Sequence, residues 1–170
     1  MANTSKITGF RPVKAVVGGA NQGNVNVYSV LAADGTALFV GDPVILSGTA
    51  HTNGIPSVQK AAQGAAVLGV VVGILPANYD PIGMTMNNSS LSLDSPQYRA
   101  ASTLRYVLVN DDPTQVYEVE AVTGSNAAYS FAVADVGLNA DLATVAGSTT
   151  TGLSAAALDM STKATTATLQ

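Results

Sequence analysis

The single histidine, His51, is the one side chain whose ordinary pKa suits it to act as a base near neutral pH, and it sits beside Thr49 and Thr52 with Ser47 nearby. A Ser-His-Asp system needs that base oriented against its nucleophile. Nothing in the pattern around His51 orients or buries it, so it reads as a solvated turn residue. Asp111 and Asp112 stand together, but neighbours on an extended chain point apart, and aspartate before Pro113 is ordinary turn chemistry that recurs at Asp42-Pro43 and Asp80-Pro81. With one histidine and no cysteine, any metal site would have to be an oxygen-ligand site of the calcium type. Glu118 and Glu120 share a strand face at the ~7 Å spacing that a paired-carboxylate hydrolase uses. Two glutamates on the wet side of an amphipathic strand are, however, commonplace. The stretch Gly18-Gly19-Ala20-Asn21-Gln22-Gly23 has neither dinucleotide spacing nor a P-loop lysine, and a strand rather than a helix follows it. The expectation is a chain that is not an enzyme and uses no metal and no cofactor.

What positions these residues is a chain of 170 residues, enough for one domain with one core. Hydrophobic residues are 47% of it, mainly Val, Ala and Leu, with no Trp, three Phe and six Tyr. Burying a Val or Leu side chain contributes only about 1.5–3 kcal/mol, so a core of small pieces is thin and predicts a homo-oligomer, a dimer or trimer. Charged residues are 11% of the chain, under half the usual ~25%, which leaves a neutral, polar surface suited to fixed contacts. A net charge of −4 argues against nucleic acid, which demands clustered Lys and Arg. The start, Met1 to Lys6, has no apolar secretory segment and reads as a cytosolic product. The longest apolar run, Ala65 to Leu75, is well short of the ~18–20 residues of a membrane-spanning helix and reads as a buried strand.

Short β-type runs separated by turn chemistry fill most of the chain. Val25 to Leu31, Leu38 to Val40 and Val44 to Leu46 come first. Thr52-Asn53-Gly54 predicts a hairpin into Ile55 to Lys60, because Asn and Gly tolerate positive φ. Residues Pro76 to Pro96, rich in Pro, Asn and Ser, read as a long surface loop and a candidate interface. Leu104 to Val109 and Gln115 to Val122 flank the turn Asn110 to Pro113 as a second hairpin, with Tyr117, Val119 and Ala121 on the buried face. Asn126 to Asp135 suits a short helix, and Leu142 to Val145 and Ala164 to Leu169 two further strands. The organisation expected is an extended N-terminal arm and linker over residues 1–24, then an all-β body over residues 25–170. That body reads as an antiparallel β-sandwich, with a small β-barrel or β-tulip as the alternative.

Several of these segments in order, Ile7-Thr8-Gly9-Phe10-Arg11-Pro12-Val13, Asp34 to Val44, Gly69 to Gly73, Tyr98-Arg99-Ala100, Arg105 to Val109 and Gly137 to Asp141, resemble the capsid cement (decoration) proteins of short-tailed and related bacteriophages. The resemblance implies a jelly-roll-like sandwich on the outer surface of the virion, made in the host cytoplasm. Such a protein bridges major capsid protein subunits against internal DNA pressure, with no enzymatic activity and no contact with nucleic acid or membrane. On this expectation Ile7 and Phe10 anchor the arm between capsid subunits, and Lys6, Arg11 and Lys14 meet capsid carboxylates. The alternative is a non-catalytic binding module of a phage tail or fibre.

Overall fold

The computed structural model describes residues 8–16, 24–77, 79–83, 85–86, 97–124, 127–143 and 145–165. It is all-β, as the turn-punctuated sequence predicts, and the only helical piece among the described residues is one 3₁₀ turn at Val133–Asp135. In chain order the strands are β1 (Arg11–Ala15), β2 (Asn26–Val30), β3 (Pro43–Ala50), β4 (Pro56–Lys60), β5 (Gly69–Ile74), β6 (Tyr79–Asp80), β7 (Thr85–Met86), β8 (Arg105–Asn110), β9 (Gln115–Glu118), β10 (Ala121–Val122), β11 (Asn139–Ala143) and β12 (Ala157–Ala164).

Five of them close into a barrel in the order β2-β4-β3-β5-β8. The central strands therefore take the barrel form named as the alternative above. All contacts in the ring are antiparallel except the closing one, where β2 meets β4 in parallel at Ser29 and Ser57. Those two buried hydroxyls lie 2.8 Å apart, and Ser29 Oγ also reaches the carbonyls of Ile55 and Pro56. The seam is thus stitched by side chains where the ladder is only one pair long. Inside, Tyr28, Val30, Leu38, Val44, Val58, Val71, Val107 and Val109 form the core, with Leu68 and Ile74 against it. A five-stranded barrel has little interior volume, and β-branched valines fill it.

Closure also settles where the remaining strands go. The expected hairpin between the strands flanking Asn110 to Pro113 does not form, because β2 and β5 already occupy both edges of β8. Strand β9 pairs instead with β1, so residues 11–15 lie on the body, and Gly9 fits under Gly41. At Gly9 φ is +72°, and an added Cβ would come 2.6 Å from the Gly41 carbonyl oxygen and from Ser154 Cβ, so only glycine lets the segment dock there. The chain leaves the ladder after Glu118, and β10 joins a separate three-stranded sheet in the order β10-β12-β11. The last strand among the described residues is β12, Ala157–Ala164, and the strand expected over Ala164 to Leu169 falls largely on residues 166–170, which lie outside those described. The expected helix at Asn126 to Asp135 reduces to the 3₁₀ turn, since Asp135 turns its carboxylate back onto the Ala132 amide; Asn126 is outside the described residues. Of the Pro76 to Pro96 excursion, β6 and β7 pair with each other, and residues 87–96 are not described.

Arg99 is fully buried and clamps the turn that follows β2. Its guanidinium donates to the carbonyls of Leu31, Asp34, Thr36 and Thr103, and Nη1 lies 4.0 Å from Asp34 Oδ2. Burial lowers its pKa and the Asp34 charge partly offsets this. The Leu31 and Asp34 carbonyls also accept from the Asp34 and Ser102 amides, but losing Arg99 would remove the side-chain donor from all four and leave the buried Asp34 Oδ2 without its counter-charge. Arg99→Met should therefore destabilise the protein by roughly 3–5 kcal/mol in urea unfolding. A loss under about 1 kcal/mol would show that the carbonyls find other partners.

Candidate functional site: an apolar loop and an apolar groove

None of the residues that invited catalytic readings is assembled for catalysis. His51 is half-buried rather than solvated: its ring packs edge-on to Tyr106, with Nδ1 3.2 Å from the Tyr106 hydroxyl. Ser47 is bonded to Thr49 Oγ1 and to the Ser57 carbonyl, not to His51. Asp111 accepts from Asn26 and from the Tyr28 hydroxyl, while Asp112 accepts from Thr114 and Asn24. Burial, with the Asp111 hydrogen bond and charge, pushes Tyr28 up to about 12, and burial with the two aspartates does the same to Tyr117. Glu118 is exposed at the end of β9 and Glu120 lies beyond it, so the two do not share one strand face. Among the described residues no group of three His, Cys, Asp or Glu side chains is placed to hold a metal ion.

What the molecule does present is exposed apolar surface on braced supports. The loop between β10 and β11 carries Phe131, Val133 and Val136, exposed by 64%, 92% and 83%. Valine left this far in water contributes nothing to folding, and the loop beneath it is firmly tied. Asp135 is buried at its centre and accepts from the Ala132 amide, from the Tyr129 hydroxyl at 2.9 Å and from Lys163 Nζ at 2.6 Å. Lys163 also lies 5.1 Å from the Tyr129 ring centroid, and Tyr129 stands edge-on to Phe131. The hydrogen bond from Lys163, followed by that from Ala132, lowers the Asp135 carboxyl to about 2, and Asp135 in turn raises Lys163. One apolar tip is thus held in one conformation by a charge cluster at the end of β12.

The second feature is a groove of about 440 Å³ where the N-terminal segment crosses the barrel, lined by Phe10, Arg11, Pro12, Val40, Val72 and Leu153 among others. Asp42 fixes its floor. This wholly buried carboxylate accepts from the Phe39 amide and the Ser154 hydroxyl, and pairs with Lys60 at 2.9 Å. Of the five arm residues expected to meet a partner, Lys6 and Ile7 lie outside the described residues. Phe10 is half-buried, edge-on to Tyr117 with ring centroids 6.3 Å apart. Arg11 and Lys14 are exposed on β1, next to Val13 and Val16 at 51% and 70% exposure. The apolar loop was not anticipated. Its only trace in the sequence is an apolar run from Phe131 to Val136 around one aspartate, which an amphipathic helix would also show.

Since the Asp135 carboxyl titrates near 2 when folded and near 3.9 when unfolded, its contribution to stability is present above about pH 4 and is lost as pH falls toward 2. Asp135→Asn should remove that component, so the stabilities of wild type and variant should converge between pH 4 and 2. Curves that stay parallel through that window would show that Asp135 does not hold the loop.

No protein-family model matches this chain, and neither a curated protein nor a solved structure does, so the role of these surfaces is read from their own chemistry.

Proposed function

We propose that this chain is a cement protein on the outer surface of a phage capsid, bridging major capsid protein subunits and holding them against the pressure of packaged DNA. The observation that carries the reading is rigid, exposed apolar surface on a chain of low charge: Val133 and Val136 on the braced loop, Val13 on β1 and Val16 directly after it. Exposed apolar groups on ordered backbone favour burial against another protein, since little conformational entropy is lost on docking. The capsid as that partner comes from the resemblance carried by the segments at Ile7 to Val13, Asp34 to Val44 and Tyr98 to Ala100.

In this reading the arm residues divide their roles. Phe10 fastens the arm to the body through Tyr117, while Arg11 and Lys14 offer positive charge on the outward face of β1 beside Val13 and Val16. Among the described residues strand β1 pairs with β9 alone, and a partner strand could add to its other edge. Cationic side chains there would set orientation and on-rate against capsid carboxylates more than affinity. The jelly-roll layout implied by the resemblance is supported only by the dominance of antiparallel pairs, and the barrel is the firmer guide to where these surfaces sit.

Mixing the purified protein with expanded capsids that lack it tests the reading by co-sedimentation and by heat resistance. Stoichiometric binding that raises the capsid melting temperature is expected, with Lys14→Glu combined with Val16→Ser weakening it by ~10-fold or more. No binding by the wild-type protein would sink the capsid reading, and full binding by the double variant would move the contact off β1.

A further inference from the structure

Asn53 and Gly54 form the sole Asn-Gly pair in the sequence, and asparagine loses its side-chain amide most easily when glycine follows it. Glycine has no Cβ to shield its nitrogen and leaves the backbone free to rotate toward the side chain. The reaction needs only water. The Gly54 amide gives up its proton to solvent, its nitrogen attacks Cγ of Asn53, and the Cγ–Nδ2 bond breaks as Nδ2 takes a proton and leaves as ammonia. Water then adds to one of the two imide carbonyls and breaks its bond to the Gly54 nitrogen, which gives aspartate or isoaspartate.

The turn that carries the pair is open to water. Gly54 is exposed with φ +86°, and nothing lies within 4 Å of where its Cβ would stand. Each of the three groups that must rearrange is nevertheless held. The nucleophile, the Gly54 N–H, donates to the His51 carbonyl at 2.8 Å. Asn53 Oδ1 accepts from the Ile55 amide at 3.2 Å, and the leaving nitrogen, Nδ2, donates to the Tyr106 hydroxyl at 2.8 Å. A backbone N–H can only donate, so the Ile55 contact fixes which end of the carboxamide is oxygen. A nitrogen whose proton is committed to a carbonyl is slow to lose it. A carboxamide tethered at both ends does not swing its carbon onto that nitrogen.

Two of these bonds are local to the turn and open whenever it frays. The third reaches Tyr106 on β8, 53 residues away in sequence, a side chain only 7% exposed on a strand paired with β2 on one side and β5 on the other. The Tyr106 ring also meets the His51 ring edge-on. The tip of the β3–β4 hairpin is thereby pinned to the barrel wall.

We propose that Asn53-Gly54 is a latent deamidation site, kept unreactive by the Tyr106 hydroxyl as it fastens the hairpin tip to the barrel. Opening of the tip is then recorded chemically. The product puts a carboxylate oxygen where a donor faced Tyr106 and, as isoaspartate, adds a carbon to the backbone of the turn. This lock is separate from the apolar loop and the groove, and it holds whether or not the chain docks on a capsid.

Peptide mapping by mass spectrometry reads the conversion at residue 53. In native buffer the full chain should convert at least ~30-fold more slowly than the same chain unfolded in guanidinium chloride at equal pH and temperature, the ratio for about two net hydrogen bonds that must open first. Tyr106→Phe keeps the ring and removes the hydroxyl, and it should speed the native rate by ~2-fold to ~10-fold, the range for one such bond. Val122→Ala removes buried volume from the separate three-stranded sheet and should leave the rate at Asn53 unchanged. Equal native and unfolded rates, a Tyr106→Phe rate no faster than wild type, or an equal acceleration in Val122→Ala would each overturn the lock, the last by making general loosening the cause. If circular dichroism shows that Tyr106→Phe has not folded, hydrogen exchange of the Gly54 amide in the wild-type chain decides in its place. Protection is expected there, and exchange at the free-chain rate would overturn the proposal.

Discussion

A carboxylate removed from water must find its hydrogen bonds and its counter-charge in the chain around it, and the position of Asp42 imposes that constraint on its own turn and on two distant segments at once. Phe39 supplies an amide, Ser154 a hydroxyl and Lys60 an ammonium, while Lys60 reaches on to the Val145 carbonyl. Removing Lys60 would strand that buried charge without its counter-ion. The crossing of the barrel strands, the 145–156 segment and the arm at Gly9 and Gly41 is therefore a single arrangement. The groove is a consequence of it.

Arg99 and Asp135 apply the same logic elsewhere, the first to the turn after β2 and the second to the loop before β11. A chain built of valine and alanine has little bulk with which to hold its connections in place. Buried charge, satisfied by backbone groups, supplies the positional definition that large aromatic residues supply in other domains. Rigidity obtained this way costs little surface, so Val133 and Val136 remain available outside. A structural protein that adheres to neighbours needs that combination: a small interior, connections that do not move, and apolar groups whose burial is deferred until a partner arrives.

Local features of this fold were legible in the sequence, and distant ones were not. The hairpin at Asn53-Gly54 forms because Gly54 takes φ +86° and Asn53 bonds the Ile55 amide, all within a few residues. The turn at Asn110 to Pro113 was equally visible, but not that β9 would find both edges of β8 taken by strands far away in sequence. Barrel closure at Ser29 and Ser57 leaves no periodic signal, since serine in a strand reads as an outward residue. An arginine between Tyr98 and Ala100 looks like a surface charge until four carbonyls converge on it. The run Phe131 to Val136 carries apolar residues without saying which side of the fold they face. Its exposure depends on Lys163, which arrives from the last strand.

Cryo-electron microscopy of expanded capsids incubated with the purified protein tests the central claim most directly. The account predicts added density on the outer surface, at junctions between major capsid protein subunits, into which the five-stranded barrel fits with β1 toward the shell. Capsids that show no added density, or density with β1 facing solvent, would contradict it.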